Sequence, residues 1–273
     1  MKNLSLAFVG GGNMTRCLLA GVLEADYQAN KIWVCDPNPE KLQSLTHQYG
    51  VHVTDVNQEA IANAEVIVFA VKPQNMQAAV MQAAAQIRQK KPLIISVAAG
   101  VTTAAIQNWL GFTTAVIRCI PNTPAMVGSG ATGLYANEEA SEEQRQIAES
   151  LLRSVGIILW LETEAQLNTV TALSGSGPAY FFLVMESLQQ AAEEAGLSSQ
   201  QAKLLTIQTA LGSARLALET EHALTELRDQ VTSPGGTTEQ GVAVLEAGGL
   251  AELFAKALQA ARQRAIELSN GYS

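Results

Sequence analysis

Short, mostly β-branched apolar runs alternate with longer stretches of helical periodicity through the first half of the chain. Leu4–Val9, Ile32–Cys35, Val66–Val71, Leu93–Val97 and Val116–Ile120 predict buried strands. Between them, Asn13–Ala25, Pro39–Gln48, Gln74–Gln89 and Thr102–Leu110 predict helices. That alternation implies parallel βαβ units with right-handed crossovers. A helix over Ser141–Ser154 and a strand over Ile157–Leu161 close this part.

Past about Glu162 the strand pattern disappears. Gln166–Leu173, Gly177–Ala195, Ser199–Glu219, Ala223–Val231, Thr238–Glu246 and Leu250–Asn270 all predict helices. Ser176 with Pro178 opens one of them, Gly196 closes it, and Ser198 or Ser199 opens the next. Two domains are expected, residues 1–162 and residues 163–273. Ala179–Met185 is apolar on every face, so that helix must be covered all round. Either a partner subunit covers one side, or it is the central helix of the monomer.

Composition narrows the classes. At 273 residues, with 48% hydrophobic and 15% charged positions, the chain can bury a large core. A formal charge of −8 without a basic stripe argues against nucleic acid as a partner. No apolar run approaches the roughly 20 residues of a membrane span, and the start of the chain reads as a strand, so neither membrane nor signal peptide is expected. Cys17, Cys35 and Cys119 lack paired spacing, as in a reduced, cytoplasmic protein. His47, His52 and His222 form no ligand pattern, so no metal is expected.

Candidate chemistry sits at both ends. Gly10-Gly11-Gly12-Asn13-Met14 follows a strand and opens a helix, the context in which glycines admit a pyrophosphate to a positive helix end. Thr15 stands where a small third residue is usual, so helix–strand packing is expected to loosen there. Asp36, ending the second strand, suits the adenosine ribose hydroxyls and disfavours a 2′-phosphate, which points to NADH or dual use; its alternative role is to cap the next helix. Ala70-Val71-Lys72-Pro73 and Ser96-Val97-Ala98-Ala99-Gly100 leave later strands at the carboxyl edge of the sheet, where ligands bind in open α/β folds, and Lys72 is expected to face the cleft. Near the other end, Thr232-Ser233-Pro234-Gly235-Gly236-Thr237-Thr238 precedes a helix and offers amides and hydroxyls to a small carboxylate, or is simply a capping turn.

Six motifs in order carry a family resemblance along essentially the whole chain: Phe8–Met14, Ala70–Pro73, Ser96–Gly100, Arg118–Pro124, Leu173–Tyr180 and Ser233–Thr238. With these the chain resembles the pyrroline-5-carboxylate reductases, which make proline. The resemblance implies an α/β fold, a Rossmann-type doubly wound parallel sheet followed by an all-α dimerisation domain. It implies a homodimer or a larger ring such as a decamer, with the active site between one subunit's nucleotide domain and its partner's helices. By matching motif, Gly10–Met14 would hold the pyrophosphate, Asn57 would lie near the adenine ribose, and Lys72, Pro73, Ala98, Ala99 and Gly100 would border the nicotinamide, with Ala70 and Val71 beside them. Ser233, Gly235, Gly236, Thr237 and Thr238 would receive the substrate, with the Thr238 hydroxyl on the ring nitrogen as the catalytic group and Gln230 nearby. Gln230 stands where relatives often carry Asn, and Asn168 stands where an acidic residue is common, which weighs against a proton relay there. The family's preference implies NADPH as the cofactor, with NADH left open by Asp36.

Three rival readings remain at this level, one of them a reductase for a different cyclic imine. A β-hydroxyacid dehydrogenase would use a lysine on the helix after Ser174–Gly177, but Pro178–Ala195 contains none. A dinucleotide-binding regulator without catalysis would leave the loop at Ser233–Thr238 unexplained.

Overall fold

The computed structural model describes residues 4–62 and 64–272; Met1–Asn3, which the pattern runs into the first strand, lie outside the described residues. Eight strands form one sheet: β1 (Leu6–Val9), β2 (Ile32–Cys35), β3 (His52–Thr54), β4 (Val66–Phe69), β5 (Leu93–Ser96), β6 (Val116–Ile120), β7 (Gly130–Ala136) and β8 (Gly156–Trp160). Their order is β3-β2-β1-β4-β5-β6-β7-β8. β3 through β6 in this order are mutually parallel; β7 runs antiparallel to β6 and parallel to β8.

Alternate residues of each strand serve opposite faces. Leu6 and Phe8 pack with Val66, Val68 and Ile95 against Leu18, Leu19 and Val22 of α1 (Asn13–Glu24). Ala7 and Val9 pack with Ile67, Phe69 and Ile94 on the other face. There they meet Met76 and Val80 of α4 (Pro73–Lys90) and Ile106 of α5 (Thr103–Leu110). With helices on both faces, the central strands are buried throughout, which is why they read as continuous apolar runs. α2 (Pro39–Tyr49), the short α3 (Asn57–Ile61) and α6 (Glu142–Arg153) complete the layers.

Two strands escape the hydrophobic pattern for identifiable reasons. β3 is only three residues long. β7, Gly-Ala-Thr-Gly-Leu-Tyr-Ala, is poor in β-formers. Its glycines answer to neighbours: a Cβ on Gly133 would lie 2.8 Å from Val170 Cγ1, and one on Gly130 would lie 2.8 Å from the Val155 carbonyl oxygen.

The chain divides into two compact units, one running to Ser176 and resuming at Ala260, the other Gly177–Gln259. In the first, α7 (Gln166–Val170) continues into a π-helical turn over Thr171–Gly175, where the sequence pattern expects an ordinary helix to Leu173. The Thr171 and Ser174 hydroxyls donate to the Leu167 and Val170 carbonyls, four residues back. The second unit is helical: α8 (Gly177–Glu194), α9 (Ser199–Glu219), α10 (Leu224–Gln230), α11 (Thr237–Ala247) and the start of α12 (Leu250–Asn270). Gly196, at φ +106°, ends the α8 run, and Ser198 with Gln201 forms a capping box on α9. Phe181 and Phe182 of α8 are 70% and 64% exposed. The apolar helix is therefore not the buried centre of a monomer.

Candidate functional site

The sheet order reverses between β1 and β4, and the glycine-rich turn lies at that switch point. Gly10 has φ +106°, donates its N–H to the Cys35 carbonyl at 2.7 Å, and would place a Cβ 2.7 Å from the Ala70 oxygen. A side chain is therefore excluded twice over, by backbone conformation and by contact. Gly12 is the N-cap of α1 and meets nothing within 4 Å of a Cβ position. No side chain caps this twelve-residue helix and its first turn carries no acid. The amides of Asn13 and Met14 thus stand at a positive helix end without a helical partner.

Thr15 does not loosen the packing as its size suggests. It is fully buried and its hydroxyl donates to the Gly10 carbonyl. The close approach falls instead at Gly21, where a Cβ would lie 2.5 Å from Val155 Cγ1 and 2.7 Å from the Ser154 oxygen.

Asp36 is buried beside the turn. Its carboxylate accepts the Gly11 N–H at 2.8 Å, the Asn38 N–H at 3.0 Å and the Lys41 ammonium at 3.1 Å. Burial alone would push this carboxyl up; the two amides and Lys41 outweigh it and hold it below the usual carboxylate value. Asp36 is not the cap of α2: that place belongs to Asn38, whose side chain accepts the Lys41 N–H. Lys41 is the cation missed when only Pro37 and Asn38 are read after the strand.

Beside the turn opens a cleft of about 340 Å³, lined by Val9, Gly10, Cys35, Pro37, Asp55, Asn57, Val71 and residues of α4. The expected residues Gly10, Asn57 and Val71 are thus brought together. Asn57, at the start of α3, donates to Gln82 Oε1 at 2.8 Å. Ala70 donates its N–H to the Val9 carbonyl at 2.8 Å, and exposed Lys72 is the N-cap of α4, with Pro73 in the first turn. Ala98 and Gly100 are buried and Ala99 half-buried on the loop leaving β5. Cys35 is no nucleophile here: burial, then the charges of Asp36, Asp55 and Glu59, push its thiol up to about 11.

The loop Thr232–Thr238 is largely exposed. Gly236 caps α11 and donates its N–H to the Ser233 carbonyl at 2.9 Å; Gly235 has φ +72° and donates to the Glu239 carboxylate at 2.8 Å. Two of the expected donors are thus engaged within the chain, and the first-turn amides and hydroxyls of Thr237 and Thr238 are the ones left facing outward. Gln230 is the exposed last residue of α10. Asn168, the neutral residue at an often acidic position, accepts the Ser269 hydroxyl at 3.3 Å.

Sequence reading overlooks one buried cluster. Arg118, in the middle of β6, is 1% exposed and pairs through Nη1 with Glu164 Oε1 at 3.2 Å. Glu164 also accepts the N–H and hydroxyl of Thr103. Among the described residues, no group of three or more His, Cys, Asp or Glu converges as a metal site would, and no helix is long and apolar enough to cross a membrane.

Two family models match the chain. One, described as pyrroline-5-carboxylate reductase dimerisation, covers residues 164–268; the other, NADP oxidoreductase coenzyme F420-dependent, covers residues 5–100. A pyrroline-5-carboxylate reductase from Pseudomonas aeruginosa is 46% identical over 269 residues, 98% of each chain. The structure of a pyrroline-5-carboxylate reductase from Coxiella burnetii superposes with a TM-score of 0.93 at 48% identity, covering 97% of this chain and 98% of that one. The Plasmodium falciparum pyrroline carboxylate reductase with NADP bound gives 0.88 at 27% identity, over 98% and 99%.

Proposed function

The chain belongs to the pyrroline-5-carboxylate reductase family, and from that premise we propose that it reduces 1-pyrroline-5-carboxylate to L-proline by hydride transfer to the ring C=N, the last step of proline biosynthesis. The observation that carries this reading is the full-length match to named reductases at 46% and 48% identity, with all six sequence motifs present. The cofactor is NADPH, with NADH as an alternative; when bound, it supplies the hydride. The residues present fit a dinucleotide: Gly12 leaves the N-terminus of α1 open, with nothing within 4 Å of a Cβ position, and the α1 amides are uncapped.

In this reading Gly10, Gly11, Gly12, Asn13 and Met14 hold the pyrophosphate, and Asp36 and Asn57 the adenosine ribose. Ala70, Val71, Lys72, Pro73, Ala98, Ala99 and Gly100 border the nicotinamide half. Ser233, Gly235, Gly236, Thr237, Thr238 and Gln230 receive the substrate. Glu239 must release the Gly235 amide before a substrate carboxylate can use it, whereas the Thr237 and Thr238 amides are available at once. An imine accepts hydride far better when its nitrogen is protonated. The Thr238 hydroxyl can orient that nitrogen with one hydrogen bond but is too weak an acid to protonate it, so the proton comes from water or arrives with the substrate.

Residues 1–162 form the nucleotide-binding domain in this proposal and residues 163–273 the substrate-binding and self-association domain. The dimerisation-family match supports self-association; in this proposal the assembly is a homodimer or a multiple of it such as a decamer, and it works in the cytoplasm on a small molecule. The test compares initial rates of NADPH and NADH oxidation with 1-pyrroline-5-carboxylate in wild type and Thr238→Ala. Turnover in wild type and a loss of about 10²-fold in the variant are expected, the lower end of acid–base effects. Full activity in Thr238→Ala removes Thr238 from its role, and no wild-type turnover with either cofactor overturns the substrate.

A further inference from the structure

The loop Val97–Thr102, between β5 and α5, is fixed at three points. Ser96 Oγ accepts the Ala98 N–H at 3.4 Å. Gly100, at φ +79°, lies so close to α12 that a Cβ would be 3.0 Å from Leu268 Cβ. At the loop's exit, Thr103 donates its N–H to Glu164 Oε1 at 2.8 Å and its hydroxyl to Glu164 Oε2 at 2.9 Å.

This third attachment exceeds what the helix needs. α5 already has an N-cap, Thr102, whose hydroxyl accepts the Ala105 N–H at 3.1 Å. Glu164 comes from 61 positions further along the chain. It brings a negative charge that the fold balances with a guanidinium buried in the sheet, Arg118. A buried charge is tolerated only when paired, so Arg118 and Glu164 fix each other's position. Arg118 stands beside Ser96 in the β5–β6 register, so the ion pair refers the loop's exit to the strand that carries its entry.

We propose that Glu164 is a positioning residue for hydride transfer: anchored by Arg118, it holds Thr103 and thereby sets Ala98–Gly100 against the nicotinamide. This rests on the cofactor reading above. It predicts a selective defect, because the adenosine half of the dinucleotide is held elsewhere, by the glycine-rich turn and the β2 end.

The test uses the full-length protein and two variants. Glu164→Gln removes the charge; Thr103→Val removes one hydrogen bond and leaves the ion pair, so it decides the matter should Glu164→Gln fail to fold. Affinity for 2′,5′-ADP, which reports only the adenosine half, is measured alongside kcat and KM for NADPH. Expected are unchanged fragment affinity and a kcat lowered by about 10- to 10²-fold, the scale on which a misplacement of about 1 Å acts. Unchanged kcat in a folded variant overturns the proposal. So does fragment affinity that falls in parallel with kcat, since that marks general disruption. Should wild type bind NADPH but show no turnover with 1-pyrroline-5-carboxylate, the substrate reading has failed instead. The loop is then tested by the change in NADPH fluorescence on binding, expected in wild type and diminished in both variants; equal changes in all three proteins overturn it.

Discussion

Asp36 and Lys41 stand 3.1 Å apart beside the glycine-rich turn, and in the proposed cofactor site the pair behaves differently from either residue alone. A lone carboxylate at the end of β2 repels a 2′-phosphate. Here Lys41, about half exposed, offsets that charge and retains ammonium hydrogens to offer a phosphate. Lys41→Met is therefore expected to lower kcat/KM with NADPH by about tenfold, the worth of one hydrogen bond to a charged group, while NADH is little affected. An unchanged NADPH-to-NADH ratio in parallel rate measurements would show that the pair does not select the cofactor. Asp36 was legible in the sequence as a candidate because it directly follows a strand of the expected sheet. Lys41 was not, because only the first turn of α2 brings it back to a residue five positions earlier. Glu164 was less legible still: its partners, Thr103 and Arg118, lie 61 and 46 positions away, and no local pattern links them.

Among elements, α1 shows how tertiary contact overrides local preference. Within a helix, replacing Gly by Ala normally stabilises by roughly 1 kcal/mol. Gly21 of α1 should reverse that sign. An added methyl would press on Val155 and on the backbone of Ser154 at the turn between α6 and β8, and backbone cannot swing aside as a side-chain tip can. Gly21→Ala is expected to destabilise by about 1–3 kcal/mol, the usual range for overpacking, read as a lower urea midpoint at unchanged slope. A higher midpoint would mean that the turn yields easily. The same reasoning explains which strands the sequence revealed. β1, β4 and β5 are buried on both faces and announce themselves as apolar runs. β7 is built from small residues that admit Val170 and Val155, so the contact that requires the strand also erases its pattern.

At the scale of the whole molecule, the helical unit exposes apolar side chains that a lone chain in water does not hide. Phe181, Phe182 and Leu183 of α8 are each more than 60% exposed, and Leu204, Leu205 and Leu211 of α9 are exposed as well. Contiguous apolar surface of this kind marks an interaction site. The match to a dimerisation family over residues 164–268 identifies self-association as its use. The sequence made this legible through the unbroken apolar run at Ala179–Met185, since a helix apolar on all sides needs cover on all sides. Phe182→Asp places a charge on that surface at a side chain that is 64% exposed in the single chain. It is expected to shift the sedimentation coefficient towards that of a monomer and to make residual activity rise with protein concentration. The thermal midpoint of wild type should likewise rise with concentration, because association stabilises the folded state by mass action. An unchanged sedimentation coefficient in Phe182→Asp would mean that this face of α8 lies outside the contact between subunits.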